Sequence, residues 1–76
     1  MTDMTPFPRP ETWLMQLFTS PAAMKGGIVR RQTCDVDSII GRKRLLQEVA
    51  RRGFHVIENA GQYIIFCNTD PVRVLA

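Results

Sequence analysis

The residues best suited to chemistry in this sequence are basic, and they cluster in its middle. Seven of the ten Lys and Arg residues lie between positions 30 and 52: Arg30, Arg31, Arg42, Lys43, Arg44, Arg51 and Arg52. Only Asp35, Asp37 and Glu48 oppose them there. Such a surplus suits phosphate binding, because each neutralised phosphate releases a counterion. The pattern predicts nucleic-acid or other polyanion binding, chiefly through Arg42, Lys43 and Arg44; the alternative is a solvated helix face that only keeps the protein soluble.

Catalytic and metal-binding patterns are weak by comparison. Cys34, His55 and Cys67 are the soft metal ligands of the sequence, and their wide spacing does not preorganise a zinc site. The sequence has no phosphate-binding glycine loop and no hydrolase or metalloprotease motif. We therefore expect a binding module without cofactor, metal, catalytic residues or small-molecule substrate.

A second candidate surface is apolar and lies near the amino end. It comprises Phe7, Trp13, Leu14, Leu17 and Phe18. These side chains either fold back over the rest of the domain as core or project as an interface. The second alternative predicts a small interaction or accessory protein, as a homodimer or bound to another protein.

The composition sets the class of protein. The chain has 76 residues, 45% of them hydrophobic and 22% charged, with a net charge of +3. These are globular values for one small domain, and no apolar run approaches the ~20 residues of a membrane span. Alternating prolines predict an extended arm over residues 1–10, followed by a single domain over 11–76. The amino end lacks a secretory pattern, so we expect a cytoplasmic protein.

Two helical regions are predicted. An apolar face beginning after Pro10 indicates a helix through Phe18, and Ser20-Pro21 begins a second short turn that Gly26-Gly27 ends. Asp35 is a candidate N-cap, and Gly53 a candidate helix end. The region between them forms either one helix or two. In a single helix Lys43 would interrupt the apolar stripe, which favours a break at Gly41. Glu48 is spaced to pair with Arg44 and Arg52.

Strand patterns complete the expected fold. Residues 28–33 form one predicted strand, and residues 54–58 and 63–67 form a hairpin around a turn at 59–62. The second hairpin strand is apolar throughout, which predicts a central strand covered on both faces. Residues 72–75 are either an edge strand or a docked tail. The sequence thus predicts an α+β domain with short amino-terminal helices and a three-stranded, mostly antiparallel sheet.

Two nucleic-acid-binding folds partly fit this order. A winged helix has the same succession of elements, but it would place Arg42 and Gln47 at usually apolar positions and Asp37 at a usually small one. Its hairpin would also lack Lys and Arg. Arg52-Gly53-Phe54 followed by Val56 is similar to one signature of RNA-recognition motifs, with Phe54, Tyr63 and Phe66 as possible stacking residues.

Four runs of sequence carry a family resemblance: 26–31 (GGIVRR), 51–59 (RRGFHVIEN), 62–68 (QYIIFCN) and 70–73 (DPVR). The chain resembles short, uncharacterised bacterial proteins sometimes labelled phosphoribosylanthranilate isomerase. That isomerase is a (β/α)₈ barrel of about 200 residues or more. A chain of 76 residues cannot close such a barrel, so the resemblance implies no activity and transfers no catalytic residue.

Overall fold

The computed structural model describes residues 9–76. Most of the predicted arm, including Phe7, lies outside the described residues. Four helices are present in the described part: α1 (Pro10–Phe18), α2 (Pro21–Met24), α3 (Thr33–Ile39) and α4 (Arg42–Arg52). The strands are β1 (Ile28–Gln32), β2 (His55–Asn59) and β3 (Gln62–Phe66). None of these helices is long and apolar enough to cross a membrane.

The strands form one antiparallel sheet in the order β1-β3-β2. Ile65 of β3 lies opposite Val29 on one side and Val56 on the other. The sheet and its flanking helices confirm the predicted α+β class. The predicted hairpin is also confirmed, with Ala60-Gly61 as its connecting turn.

The core lies between one face of the sheet and the helices. Because side chains alternate along a strand, Tyr63 and Ile65 point to the same face. They are buried with Cys67 and Val29, and the helices supply Leu14, Leu17, Phe18, Ala23, Val36, Leu45 and Val49. Ile64 and Phe66 lie on the opposite face and are only half-buried. The prediction of a central strand is confirmed, but complete cover on both faces is wrong.

Two glycines set the limits of α4. Gly41 has a φ of 83° and precedes the helix, and Gly53 has a φ of 74° and follows it. L-residues with side chains rarely adopt these values, so glycine is favoured at both ends. The break at Gly41 is confirmed. Asp35 is not an N-cap, because α3 begins at Thr33; it lies instead in the first turn, where the helix dipole favours an acid.

The amino-terminal apolar segment belongs to the core. Leu14, Leu17 and Phe18 are 4%, 3% and 4% exposed, while Trp13 is partly buried against the same cluster. Phe18 also packs on Phe54, with ring centroids 6.0 Å apart. The predicted interface is wrong for Leu14, Leu17 and Phe18, because a partner cannot reach side chains that the folded domain buries.

Residues 71–76 follow the sheet without joining it. They form no helix or strand and are exposed throughout, so the predicted edge strand is absent. The docked tail is absent too, since Val74 and Leu75 are 86% and 85% exposed.

Candidate nucleic-acid interface

Helix α4 carries five of the seven basic residues predicted to bind nucleic acid, and its two faces differ sharply. Leu45 and Val49 recur at four-residue spacing on the buried face, at 0% and 3% exposed. Their burial fixes the helix against the rest of the domain. The opposite face leaves Lys43, Gln47 and Ala50 in solvent.

At its carboxyl end, α4 holds an arginine cluster around one buried acid. The side chain of Glu48 is only 6% exposed and bonds to Arg44, Arg51 and Arg52. The Nη1 of Arg44 lies 3.3 Å from Glu48 Oε1, and the Nε of Arg52 lies 2.7 Å from Oε2. We call these four residues the Glu48 cluster. The pairs with Arg44 and Arg52 were predicted from spacing, whereas the contact with Arg51 and the burial of the acid were not.

The electrostatics of the Glu48 cluster keep its acid ionised. Hydrogen bonding from Arg51 lowers the pKa of Glu48 to about 2, against the opposing effect of burial, and Arg52 adds to the lowering. Arg52 is further held by the ring of Phe18, whose centroid lies 4.4 Å from its guanidinium carbon. Three of the predicted nucleic-acid contacts are therefore bound to a carboxylate of their own helix.

At its amino end, α4 is tied to the sheet by a second group, the Arg42 network of Arg42, Asp37, Glu58 and Tyr63. The Nε of Arg42 donates to Tyr63 Oη at 2.8 Å, and Nη2 lies 2.7 Å from Glu58 Oε1. Tyr63 Oη in turn donates to Asp37 Oδ1 at 2.9 Å. The bond to Tyr63 and the charge of Glu58 raise the pKa of Arg42.

The Arg42 network accounts for two of the three residues that fit a winged helix poorly, Asp37 and Arg42. Asp37 accepts a hydrogen bond from the hydroxyl of Tyr63 on the central strand. Arg42 occupies a position that is usually apolar in a winged helix, and here its guanidinium binds the hydroxyl of Tyr63 and the carboxylate of Glu58. The network joins α3, α4 and both hairpin strands.

The remaining basic residues lie apart. Lys43 is exposed and has no acidic partner within residues 9–76. Arg30 and Arg31 lie on β1, at the opposite edge of the sheet from β2, the strand that α4 contacts. The structure therefore gathers five of the seven predicted residues on one helix and leaves these two on the other side of the sheet.

A shallow apolar depression runs along the outer face of α4. Its lining is Arg42, Lys43, Leu46, Gln47 and Ala50. A smaller hollow beside it reaches Val56 and Ile57 on the hairpin. Leu46 and Ile57 are 43% and 46% exposed. Neither Leu46 nor Gln47 is among the site residues predicted from the sequence. Leu46 lies three residues before Val49 and so borders the buried face, whereas Gln47 lies on the opposite face of the helix.

The stacking platform expected for an RNA-recognition motif is not formed. Tyr63 and Phe66 are three positions apart on one strand and so point to opposite faces of the sheet. Tyr63 is 2% exposed, and Phe54 packs against the core. Apart from the additional short helix α2, the order of helices and strands is the one expected of a winged helix, but the hairpin turn has no basic residue.

The other ligand types add no further site. No group of three or more His, Cys, Asp and Glu residues in the described part of the chain is placed to hold a metal ion. Cys34 is exposed, Cys67 is buried, and both are free thiols. Burial raises the pKa of Cys67, as expected of a thiol in the core.

Comparisons of the chain with family models, with curated proteins and with solved structures found no match. The resemblance to the isomerase-labelled proteins stays an expectation from the sequence.

Proposed function

We propose that this chain is a non-catalytic module that binds duplex nucleic acid through the outer face of α4. The observation that carries the proposal is the position of Lys43. It lies on an exposed helix face, next to Gln47, and no acid of the described residues neutralises it.

The shape of α4 suits a groove. The helix has 11 residues and is about 16 Å long, and the major groove of B-form DNA, about 12 Å wide, admits an α-helix. It follows α3 after Ile40-Gly41, so the two helices and their short connection have the order of a helix-turn-helix motif. In that motif the second helix enters the groove.

The side chains on the outer face have matching chemistry. Lys43 and Gln47 are one helical turn apart and therefore share a face. Lysine donates to the guanine edge, and glutamine bonds to the donor and acceptor of adenine. The apolar depression between them suits contact with a thymine methyl group.

The arginines of α4 have a supporting role in this proposal. Arg44 and Arg51 are 41% and 69% exposed in their side chains although both bond to Glu48. A guanidinium has five N–H donors, so each retains donors that face solvent. Arg44 and Arg51 are two turns apart and lie on the same side of α4, so these donors are available to phosphates along one side of the groove, where they would position the helix without reading sequence.

Fluorescence anisotropy with labelled duplex DNA, duplex RNA and single-stranded RNA tests the proposal. We expect the duplex DNA affinity to fall steeply with salt. Lys43→Gln should weaken binding and reduce the salt slope by about 1. Lys25→Gln is the matched control, because it removes the same charge from an exposed site next to α2 and should leave binding unchanged.

Three results would overturn this function, the third being a preference for single strands. One is the absence of salt-sensitive binding to any probe at low ionic strength. Another is an equal loss of affinity in Lys43→Gln and Lys25→Gln, which would mean that net charge rather than α4 determines binding. Tighter binding to single-stranded RNA than to either duplex would exclude groove recognition.

A further inference from the structure

The sheet has a free edge with unusual composition. Strand β2 pairs with β3 on one side only, and no strand of the described residues covers its other side. Natural edge strands are often protected by lysine or proline. His55–Asn59 contains neither, and Ile57 is 46% exposed. The backbone of β2 is thus open to a further strand.

The segment after the sheet has the character of a missing strand. Val72, Val74 and Leu75 are 41%, 86% and 85% exposed, and β-branched residues at alternate positions favour strands. The start of the segment is fixed: Asn68 Nδ2 donates to Gly26 O at 2.9 Å, and the Asp70 amide donates to Asn68 Oδ1 at 3.0 Å. Residues 71–76, here called the tail, leave this anchored turn with their apolar side chains in water.

We propose that the tail of one chain pairs with β2 of a second copy, so that the protein forms a homodimer by strand addition. Main-chain hydrogen bonds along an open edge provide the affinity in such complexes, and alternate side chains provide the selectivity. Six extended residues span about 20 Å, enough to cover the about 17 Å of a five-residue strand.

Charge complementarity selects β2 over β1. The sheet has two free edges, and β1 carries Arg30 and Arg31. The tail carries Arg73, which those arginines would repel. Strand β2 carries no Lys or Arg. Its acid, Glu58, is paired with Arg42, but its side chain is still 47% exposed. An arginine-bearing tail is therefore repelled at β1, whereas the β2 edge still offers it the exposed carboxylate of Glu58.

Reciprocal exchange makes the dimer closed. In a two-fold symmetric pair each copy gives its tail and receives one, so two strand additions contribute to a single interface. The exposed Val74 and Leu75 become covered in the same step. Strand β2 adjoins α4, because Glu58 is paired with Arg42 and Ile57 shares a hollow with Leu46. Dimerisation uses no nucleic-acid contact, so it can be tested without nucleic acid.

Sedimentation velocity of the full chain over about a hundredfold range of concentration tests the proposal. We expect a monomer–dimer equilibrium for the full chain. Deletion of residues 71–76 should give a monomer at every concentration, with an unchanged circular dichroism spectrum, because the tail belongs to no element of the folded domain. A full chain that stays monomeric, or a truncated chain that dimerises equally well, would overturn the proposal.

A charge-reversal pair tests the choice of edge. Arg73→Glu should weaken dimerisation severalfold, since it places an acid on a tail that pairs with the strand of Glu58. Lys25→Glu makes the same charge change at an exposed position outside the tail and the sheet, and it should leave the dimer unchanged. Equal effects of the two variants, or no effect of Arg73→Glu, would contradict pairing at β2.

Discussion

The two ends of α4 use arginine in different ways. At the carboxyl end, one buried acid holds three arginines of the same helix, so the Glu48 cluster is local in sequence. At the amino end, one arginine reaches partners on the hairpin, and the Arg42 network connects α4 with α3 and two strands. The basic residues of α4 look uniform in the sequence but thus divide into a helix-stabilising group, a tertiary contact and Lys43, which has no acidic partner among residues 9–76.

The largest effect should follow from removing the acid of the Glu48 cluster. We expect Glu48→Gln to lower the free energy of unfolding by about 2 kcal/mol, because three arginines then repel each other without a buried carboxylate between them. This figure is reduced from that implied by the pKa, since the arginines are partly in solvent. Urea denaturation followed by circular dichroism measures it.

The control for the Glu48 cluster is Asp70→Asn, which neutralises an exposed acid away from α4. It should change the free energy of unfolding very little. If Glu48→Gln were as mild as Asp70→Asn, the Glu48 cluster would contribute no more than an ordinary surface ion pair.

The same cluster predicts a specific dependence of stability on pH. The pKa of Glu48 falls from 4.5 to about 2 on folding, so its stabilising effect is complete above pH 4.5. That effect is lost as the pH falls from 4.5 towards 2. Unfolding curves of wild type and Glu48→Gln should therefore converge over this interval. A constant difference between them down to pH 2 would contradict the lowered pKa.

The Arg42 network should contribute less to stability. Tyr63→Phe keeps the buried ring but removes the hydroxyl that bonds to both Arg42 and Asp37. We expect a loss of about 1 kcal/mol in the free energy of unfolding, because Asp37 and Arg42 are near enough to solvent to bond to water instead. Thermal or urea unfolding measures this loss. A loss larger than that of Glu48→Gln would mean that the amino end of α4 contributes more to stability than the carboxyl end.

The smallest effect concerns the binding surface. Arg51→Gln should reduce the salt slope of duplex binding by less than Lys43→Gln does, because the charge of Arg51 is already shared with Glu48. Anisotropy titrations of both variants at several salt concentrations measure the difference. Equal slopes would show that the Glu48 cluster does not screen its arginines from phosphate.

Local patterns predicted most of the elements. The break at Gly41, the end at Gly53 and the hairpin follow from backbone preferences and apolar spacing within a few residues. Asp35 was misplaced because an acid serves equally well as an N-cap or in the first turn of a helix.

Contacts distant in sequence were not predictable. Asp37 and Tyr63 are separated by 26 positions, and no spacing rule relates a helix residue to one on a central strand. The burial of Glu48 was also hidden, because its arginine partners made it look like an exposed residue. Lys43 differs from the arginines of α4 through their contacts with Glu48 and Glu58, and the contacts of Arg42 and Arg51 were not predicted from the sequence.

The position of β3 has a consequence for how the chain is made. It is the central strand of the sheet, yet it is the last of the three in sequence. During synthesis β1 and β2 leave the ribosome with no strand between them, and neither can join a sheet until β3 has followed. Pairing between segments as distant as β1 and β3 slows folding, and here it cannot begin until β3 has been made. A chain cut before β3 therefore lacks the strand that joins β1 and β2.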